Sequence, residues 1–358
     1  MSGILSFEME VSAVLDELLS ATPSVTPRKG AEKNEHKRQK KNECSNDAVN
    51  TLKSSAEKGT NVNETTDVAQ NLLRSEEEEV SVNCRESGFE AEESDKSIKR
   101  IISLASGSRA NCTLIEGGGA RILIDFGLSC RMLGSFLKNY DLLISDIDAI
   151  FITHEHTDHV YGLSTLFKKY RIPVHMTEPS YLAYTRKAGF EYRDKITVHE
   201  VEFEEKIRGF TVSSCQVCHD SAACVSYFVE GNGISFCSCT DLGFLPSRVF
   251  KHISRAENII LESNHDVTLL ESGEYPDDLK RRIRSRWGHL SNEQCGEVLA
   301  SLVDSGVRRI LLGHVSPENN DPRLALHSAL AALEGCMDKV EYIDVAPRLE
   351  PIILFEKE

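Results

Sequence analysis

Three histidines and one aspartate fall within six residues of a single segment, Thr153-His154-Glu155-His156-Thr157-Asp158-His159. Side chains two apart in extended chain point to the same side, so His154 and His156 can share one target. Asp158 and His159 lie where a predicted strand gives way to a helix, and this turn can aim them at a second point nearby. The segment therefore offers two pairs of ligands, which suits two divalent cations roughly 3.5–4 Å apart. Imidazole and carboxylate groups favour Zn²⁺, Mn²⁺ or iron.

Three more candidate ligands stand at the ends of predicted strands. His219 follows Cys218, Asp241 follows Thr240, and His314 ends an apolar stretch. A sheet can present side chains at its strand ends to a common point. Each of these residues alone would be a weak signal, but together with the histidine segment they predict closed coordination shells for two metal ions.

The elements that must position these residues begin near residue 98. Short apolar stretches come in runs, with helices interspersed, which favours an α+β fold of two packed sheets with helices outside. Predicted strands cover Ile101–Ala105, Cys112–Glu116, Arg121–Asp125, Asp148–Thr153, Val174–Thr177, Ile196–Val201, Phe210–Cys218, Cys224–Glu230, Ile234–Cys239, Asn258–Ser263, Arg309–His314 and most of Val340–Phe355. Predicted helices cover Ser129–Lys138, Val160–Tyr170, Asp277–Arg286, Ser291–Asp304 and Pro322–Leu333.

The chain divides by composition into three regions. In residues 1–20, apolar side chains recur at three- and four-residue spacing, which indicates an amphipathic helix. This helix could dock on a protein partner or fold back on its own domain. Residues 21–97 are rich in charged and small polar residues, so we expect a disordered linker. Residues 98–358 form the predicted catalytic domain.

The overall charge and the cysteines restrict the function and the compartment. A net charge of −15 is the wrong sign for a protein that grips nucleic acid over its whole surface, so any such contact must be local. The 11 cysteines are scattered and odd in number, which indicates free thiols in a reducing compartment. Since no secretory or membrane-spanning segment is visible, we expect an intracellular protein, cytoplasmic or nuclear, that is neither secreted nor membrane-bound.

The domain resembles the metallo-β-lactamase superfamily. The resemblance rests on Leu123-Ile-Asp125, on His154-x-His156-x-Asp158-His159, and on His219, Asp241 and His314. It implies a four-layer αββα sandwich with a dinuclear site of Zn²⁺ or Mn²⁺. By this resemblance, one metal is held by His154, His156 and His219, the other by Asp158, His159 and His314, and Asp241 bridges them. Asp125 would order the histidine segment without binding metal.

A narrower resemblance points to the WalJ/YycJ-type nuclease branch. It rests on the segments Leu104–Ser108, Leu261–Asp266, Tyr275–Ile283, Gly288–Asn292 and Gly313–Asn320. The branch implies a 5′–3′ exonuclease on double-stranded DNA that uses a metal-activated hydroxide. The sequence departs from the branch at Ala110, where a glycine is usual.

Catalytic residues follow from the same likeness. Glu262 and His289 resemble the glutamate–histidine pair of the tRNA 3′-end-processing relatives, so His289 is expected to protonate the leaving oxygen while Glu262 orients or charges it. Asp158 is expected to accept or steer the proton of the attacking water as well as binding metal.

Two sets of residues are candidates for binding phosphate. The basic stretch Lys280–Arg286 precedes His289, and its Arg281, Arg282 and Arg284 could hold phosphates beside the site. A second set of donors, Ser106, Ser108 and Asn111, could bind a terminal phosphate.

Alternative functions stay open, although the substrate is expected to be DNA rather than RNA. For an RNA-processing nuclease, spacing argues against the best-known forms, because only about 22 residues separate His219 from Asp241, too few for a protruding tRNA-binding arm. A hydrolase of thioesters or lactams is compatible with the fold, but it gives Glu262, His289 and the basic stretch no obvious use.

Overall fold

The structure is a computed structural model that describes residues 99–189 and 193–357. The predicted helix in residues 1–20 and the predicted linker in residues 21–97 lie outside the described residues.

Two seven-stranded sheets dominate the described part of the chain. The first has the order β14-β1-β2-β3-β4-β5-β6, and the second runs from β13 to β7 in reverse chain order. The first sheet comprises β1 (Lys99–Ala105), β2 (Cys112–Gly117), β3 (Ala120–Ile124), β4 (Ala149–Phe151), β5 (Val174–Thr177), β6 (Ile196–His199) and β14 (Ile352–Lys357). The second comprises β7 (Glu204–Ile207), β8 (Phe210–Gln216), β9 (Val225–Gly231), β10 (Ile234–Cys239), β11 (Asn258–Glu262), β12 (Arg309–Gly313) and β13 (Tyr342–Val345).

Both sheets change from antiparallel to parallel pairing halfway across. In the first sheet β14 to β3 are antiparallel and β3 to β6 are parallel. In the second sheet β7 to β10 are antiparallel and β10 to β13 are parallel. Because parallel strands end at the same edge, the loops after β3, β4, β10, β11 and β12 can gather at one end of the sandwich.

Helices cover the outer faces of both sheets. They are α1 (Cys130–Lys138), α2 (Thr157–Val160), α3 (Leu163–Lys169), α4 (Glu178–Ala188), α5 (Ser247–Ile253), α6 (Val267–Ser272), α7 (Asp277–Ile283), α8 (Asn292–Ser305) and α9 (Pro322–Leu333). A capping box begins α8, since the side chains of Ser291 and Gln294 each accept a hydrogen bond from the other residue's backbone N–H. Among the described helices, none combines the length and apolarity needed to cross a membrane.

Alternating side chains along the strands build three apolar layers. In β11, Ile260 lies between the sheets, whereas Ile259 and Leu261 face α8 and α9. In β4, Phe151 points into the central layer and Ile150 points toward the helices of the first sheet. Three apolar layers between helix, sheet, sheet and helix confirm the predicted four-layer αββα sandwich.

The structure corrects several predicted element boundaries. The predicted helix Val160–Tyr170 is interrupted, because α2 ends at Val160 and α3 begins at Leu163. Gly162 lies between them, and a Cβ there would come within 2.1 Å of the Phe126 ring. The chain therefore bends tightly against β3, which keeps the histidine segment close to the sheet. Sequence reasoning also missed α4, α5, α6 and β7.

Candidate metal centre

The predicted ligands converge at one end of the sandwich because most of them follow parallel strands. His154 comes shortly after β4, Asp241 shortly after β10 and His314 directly after β12. His219 lies in the loop after β8. The remaining predicted ligands are His156, Asp158 and His159, which occupy the N-cap and first turns of α2.

Three residues that follow strands at this end of the sandwich have an unusual backbone conformation. Asp125, Asp241 and His314 have φ values of 63°, 59° and 55°. Non-glycine residues rarely adopt this left-handed region, and each such residue costs about 1–3 kcal/mol, which the surrounding structure must offset. The three residues follow β3, β10 and β12, so the same sharp turn directs a side chain into the site at each of these ends.

The ligand atoms form two neighbouring groups. Those of His154, His156 and His219 lie within 4.8 Å of one another, and so do those of Asp158, His159 and His314. Asp241 lies between the groups. One of its oxygens is 3.4 Å from His159 Nε2, and the other is 3.7 Å from His219 Nε2. The structure therefore brings all seven predicted ligands together, with Asp241 in a position to touch both groups.

Hydrogen bonds fix the orientation of four imidazoles by holding Nδ1. Its partner is Thr153 Oγ1 at 3.0 Å for His154 and Asp125 Oδ2 at 2.8 Å for His159. For His219 it is the Gly288 carbonyl at 3.2 Å, and for His314 it is Glu262 Oε1 at 2.7 Å. Because Nδ1 is occupied in each ring, Nε2 is the nitrogen available to a metal.

Three buried ligand atoms lack hydrogen-bond partners in the described part of the chain, and this indicates whether a cation fits the site. His154 Nε2, Asp241 Oδ2 and His314 Nε2 are inaccessible to solvent and have no hydrogen-bond partner. A buried polar atom without a partner is costly, and a native site normally avoids it. Imidazole nitrogens and carboxylate oxygens are the donors that divalent transition metals take, so the donor set fits such ions.

The buried carboxylates of the site raise the pKa of neighbouring histidines, and the same negative charge suits a cation. Burial alone lowers the pKa of His159, but Asp125, Asp158 and Asp241 outweigh it and raise that pKa well above the ordinary imidazole value. Burial likewise opposes protonation of His314, and Asp241 leads the carboxylates that raise its pKa. The carboxylates therefore attract positive charge to this point, and a metal ion can replace the protons.

Glu262 connects the metal ligands to His289. It is fully buried, and its carboxylate accepts hydrogen bonds from His314 Nδ1 at 2.7 Å and His289 Nδ1 at 2.9 Å. It also accepts three backbone N–H groups, those of Asp241, Leu242 and Leu290, at 3.0 to 3.1 Å. Burial alone would raise the pKa of Glu262, but the two histidines lower it to about 2.

The partly exposed ring of His289 lies between two metal-ligand candidates. Its centroid is 5.1 Å from the rings of both His219 and His314. Since Glu262 occupies Nδ1, the nitrogen that remains for a substrate is Nε2. The pair that was predicted from sequence is thus assembled at the edge of the metal centre.

Two residues predicted to bind phosphate form hydrogen bonds to candidate metal ligands. Ser106 Oγ accepts the backbone N–H of His314 at 2.9 Å, and Asn111 Nδ2 donates to Asp158 Oδ2 at 3.0 Å. Both side chains are buried, whereas Ser108 is exposed. Ser106 and Asn111 are therefore placed to orient two of the candidate ligands, and Ser108 is the solvent-exposed member of this set.

The basic residues near α7 are only partly free. Arg282 forms an ion pair with Asp220, the residue after His219, and Arg284 pairs with Glu271. Arg281 is exposed. Beside them, the guanidinium of Arg286 stacks over the ring of Trp287, which is 50% exposed. This rim of the site thus combines positive charge with an accessible aromatic surface.

Sequence reasoning missed Thr153, whose hydroxyl lies within hydrogen-bond distance of three side chains of the site. Its hydroxyl lies 3.0 Å from Asp125 Oδ1, 3.0 Å from His154 Nδ1 and 3.2 Å from His159 Nδ1. Its position directly before the first histidine was the available signal, because a hydroxyl there can reach the backbone and side chains of the same turn.

Comparison with known proteins agrees with this geometry. The model of the β-lactamase superfamily domain matches residues 120–315. Exodeoxyribonuclease YycJ of Bacillus anthracis is 33% identical over 250 residues, which cover 69% of this chain and 95% of that protein. Exodeoxyribonuclease WalJ of Streptococcus pneumoniae serotype 2 is 36% identical over 224 residues, which cover 62% of this chain and 83% of the relative.

A solved structure shows the same fold. The metallo-β-lactamase fold protein YhfI from Bacillus subtilis superimposes with a TM-score of 0.52 at 15% identity, and the match covers 71% of this chain and 99% of that one. The chain belongs to the metallo-β-lactamase superfamily. Within it, the sequence relatives place the chain in the branch of WalJ and YycJ.

Proposed function

We propose that the protein is a metal-dependent nuclease that hydrolyses phosphodiester bonds in DNA, acting as a 5′–3′ exonuclease on duplex ends. The gathering of seven ligand side chains next to the Glu262–His289 pair carries this proposal. Its relatives YycJ and WalJ are named exodeoxyribonucleases, which supports DNA as the substrate. Nine free cysteines among the described residues fit a reducing, intracellular compartment.

We assign the metal-binding roles as the family resemblance implies them. His154, His156 and His219 would hold one divalent cation, Asp158, His159 and His314 would hold the other, and Asp241 would be shared by the two. When bound, such ions polarise the phosphoryl group and make water more acidic near neutral pH. Zn²⁺ and Mn²⁺ both suit these donors.

The protein groups around the ions supply proton transfer and orientation. Asp158 is the most accessible carboxylate among the ligands, with 19% of its side chain exposed, so it can accept the proton of an attacking water. His289 Nε2 donates a proton to the leaving oxygen. Glu262 holds the His289 ring in place, because its carboxylate accepts a hydrogen bond from Nδ1 and leaves Nε2 to face the substrate.

The substrate phosphates are contacted at two rims. Arg281 and Ser108 are exposed and can bind phosphate directly. Arg282 can bind phosphate once its ion pair with Asp220 breaks, and Arg284 once its ion pair with Glu271 breaks. In an acidic chain, a local patch of this kind is what allows a polyanion to bind.

The test is digestion of end-labelled duplex DNA by metal-loaded protein, with RNA and a thioester assayed in parallel. We expect Mn²⁺ or Zn²⁺ to support release of nucleotides from the 5′ end, and we expect Asp241→Asn to abolish it. Replacing His289 by alanine should lower kcat by about 10²–10⁴-fold, the usual contribution of a general acid.

The matched control is His327→Ala, since His327 is exposed on α9. This variant should digest DNA at the wild-type rate. Thioester cleavage without DNA cleavage would reject the proposal, and faster digestion of RNA than of DNA would reject the assigned substrate.

A further inference from the structure

A cavity of about 620 Å³ opens beside the histidine segment. Its wall starts at Thr157, between the candidate ligands His156 and Asp158, and continues along α2, α3 and α4. Binding sites for small molecules span roughly 300–1,000 Å³, so the space can hold one nucleotide. The cavity contains none of the seven metal-ligand candidates.

The aromatic wall of the cavity is held rigidly by the metal loop. Tyr161 lines the cavity two residues after His159, and it is 62% exposed. The backbone on either side is fixed, because Phe126 N donates to the His159 carbonyl at 2.8 Å and Gly162 N donates to the Phe126 carbonyl at 3.1 Å. A large exposed aromatic ring on a fixed loop is a surface on which a base can stack.

The charged wall of the cavity consists of two lysines. Lys168 and Lys187 are exposed, and Lys187 Nζ donates to the Thr157 hydroxyl at 2.7 Å. Within residues 99–189 and 193–357, neither ammonium group has a carboxylate partner, whereas Arg282 and Arg284 near the site are paired with Asp220 and Glu271. In a chain of net charge −15, two unneutralised lysines at one opening favour an anionic occupant.

We propose that this cavity is a nucleotide subsite. It binds the DNA nucleotide next to the scissile phosphate, with the base stacked on Tyr161 and the adjoining phosphates held by Lys168 and Lys187. This inference rests on the proposed function. It adds to the arginines of α7 a second basic surface, which begins at Thr157 within the histidine segment.

The experiment measures kcat/KM on end-labelled duplexes in which an abasic residue replaces each of the first few nucleotides in turn. We expect Tyr161→Ala to lower kcat/KM about tenfold, since stacking of one base contributes at that level. We also expect one abasic position to slow the wild type about tenfold without slowing the Tyr161→Ala variant further. That loss of additivity would show that the missing base and the missing ring belong to the same contact.

The lysines are tested by the salt dependence of DNA binding. Removing both Lys168 and Lys187 should lower the slope of log Kd against log salt by about 2, because each phosphate contact contributes about one. The control is Lys169→Ala, which removes an exposed lysine from the same helix outside the cavity and should leave the slope and the abasic pattern unchanged. Circular dichroism melting checks that each variant is folded.

Two failures can be told apart. If the wild type digests DNA but no abasic position couples to Tyr161→Ala and the double lysine variant keeps the wild-type slope, the subsite is wrong and the nuclease proposal stands. If the metal-loaded wild type neither binds nor digests DNA, the nuclease proposal fails and the subsite fails with it.

Discussion

Replacing Glu262 by glutamine should destabilise the domain by about 4 kcal/mol. The carboxylate accepts five hydrogen bonds, three at Oε1 and two at Oε2. A glutamine amide must place its NH₂ group at one of these oxygens, and the cheaper choice is Oε2, where it faces the N–H groups of Leu242 and Leu290. Each buried donor that loses its acceptor costs about 1–3 kcal/mol, so two cost about 2–6 kcal/mol.

This loss is large compared with the roughly 5–15 kcal/mol that stabilises a typical domain. The assay is urea unfolding of the full-length protein in the presence of a chelator, so that metal binding does not add to the measured stability. The same substitution should weaken metal binding by about 10–100-fold, because Glu262 orients His314.

The matched control is Glu257→Gln, one residue before β11 begins. Glu257 is an exposed partner of Arg309 at 3.4 Å, and a surface ion pair contributes less than about 1 kcal/mol. If Glu262→Gln lost no more stability than Glu257→Gln, Glu262 would not be the connecting group that its hydrogen bonds indicate.

Three further predictions concern other parts of the molecule. Asn111→Ala removes the bond to Asp158 Oδ2, so zinc affinity measured by chelator competition should fall about tenfold; unchanged affinity would show that Asn111 does not position the ligand. Arg281→Ala should weaken DNA binding and lower the salt slope by about 1, whereas Arg323→Ala on α9 should not; equal slopes would remove Arg281 from the substrate path. Burial and His199 lower the pKa of His175 to about 4, so between pH 6.5 and 4 the unfolded chain binds a proton that the folded chain does not, and stability falls as the pH falls. His175→Phe should flatten the pH dependence of the unfolding free energy in that window. If the curve of the variant ran parallel to that of the wild type, His175 would not be the group responsible.

The sequence predicted which side chains the structure brings together as candidate ligands, because its strongest signals are local. The histidine segment has its ligand types within a few residues, and the apolar stretches before Asp241 and His314 mark the strand ends that bring them together. The runs of apolar stretches favoured two packed sheets with helices outside, and the family resemblance implied the four-layer sandwich. The convergence of these strand ends is a consequence of parallel pairing in both sheets.

What sequence reasoning missed depends on contacts between distant residues. Ser106 binds the backbone of His314, more than two hundred residues away, and no local pattern signals that its hydroxyl is already used. The pairing of Arg282 with Asp220 is also a long-range contact. Helix α4 was missed because its faces differ little in polarity, so its sequence lacks the apolar stripe that marks an amphipathic helix.

The central claim is that seven side chains hold two neighbouring cations at the end of the sandwich. Anomalous diffraction from crystals of the protein grown with Mn²⁺ tests it most directly. We expect two peaks, one among His154, His156 and His219 and one among Asp158, His159 and His314, with Asp241 between them. A single peak, or peaks bound by other residues, would contradict the account.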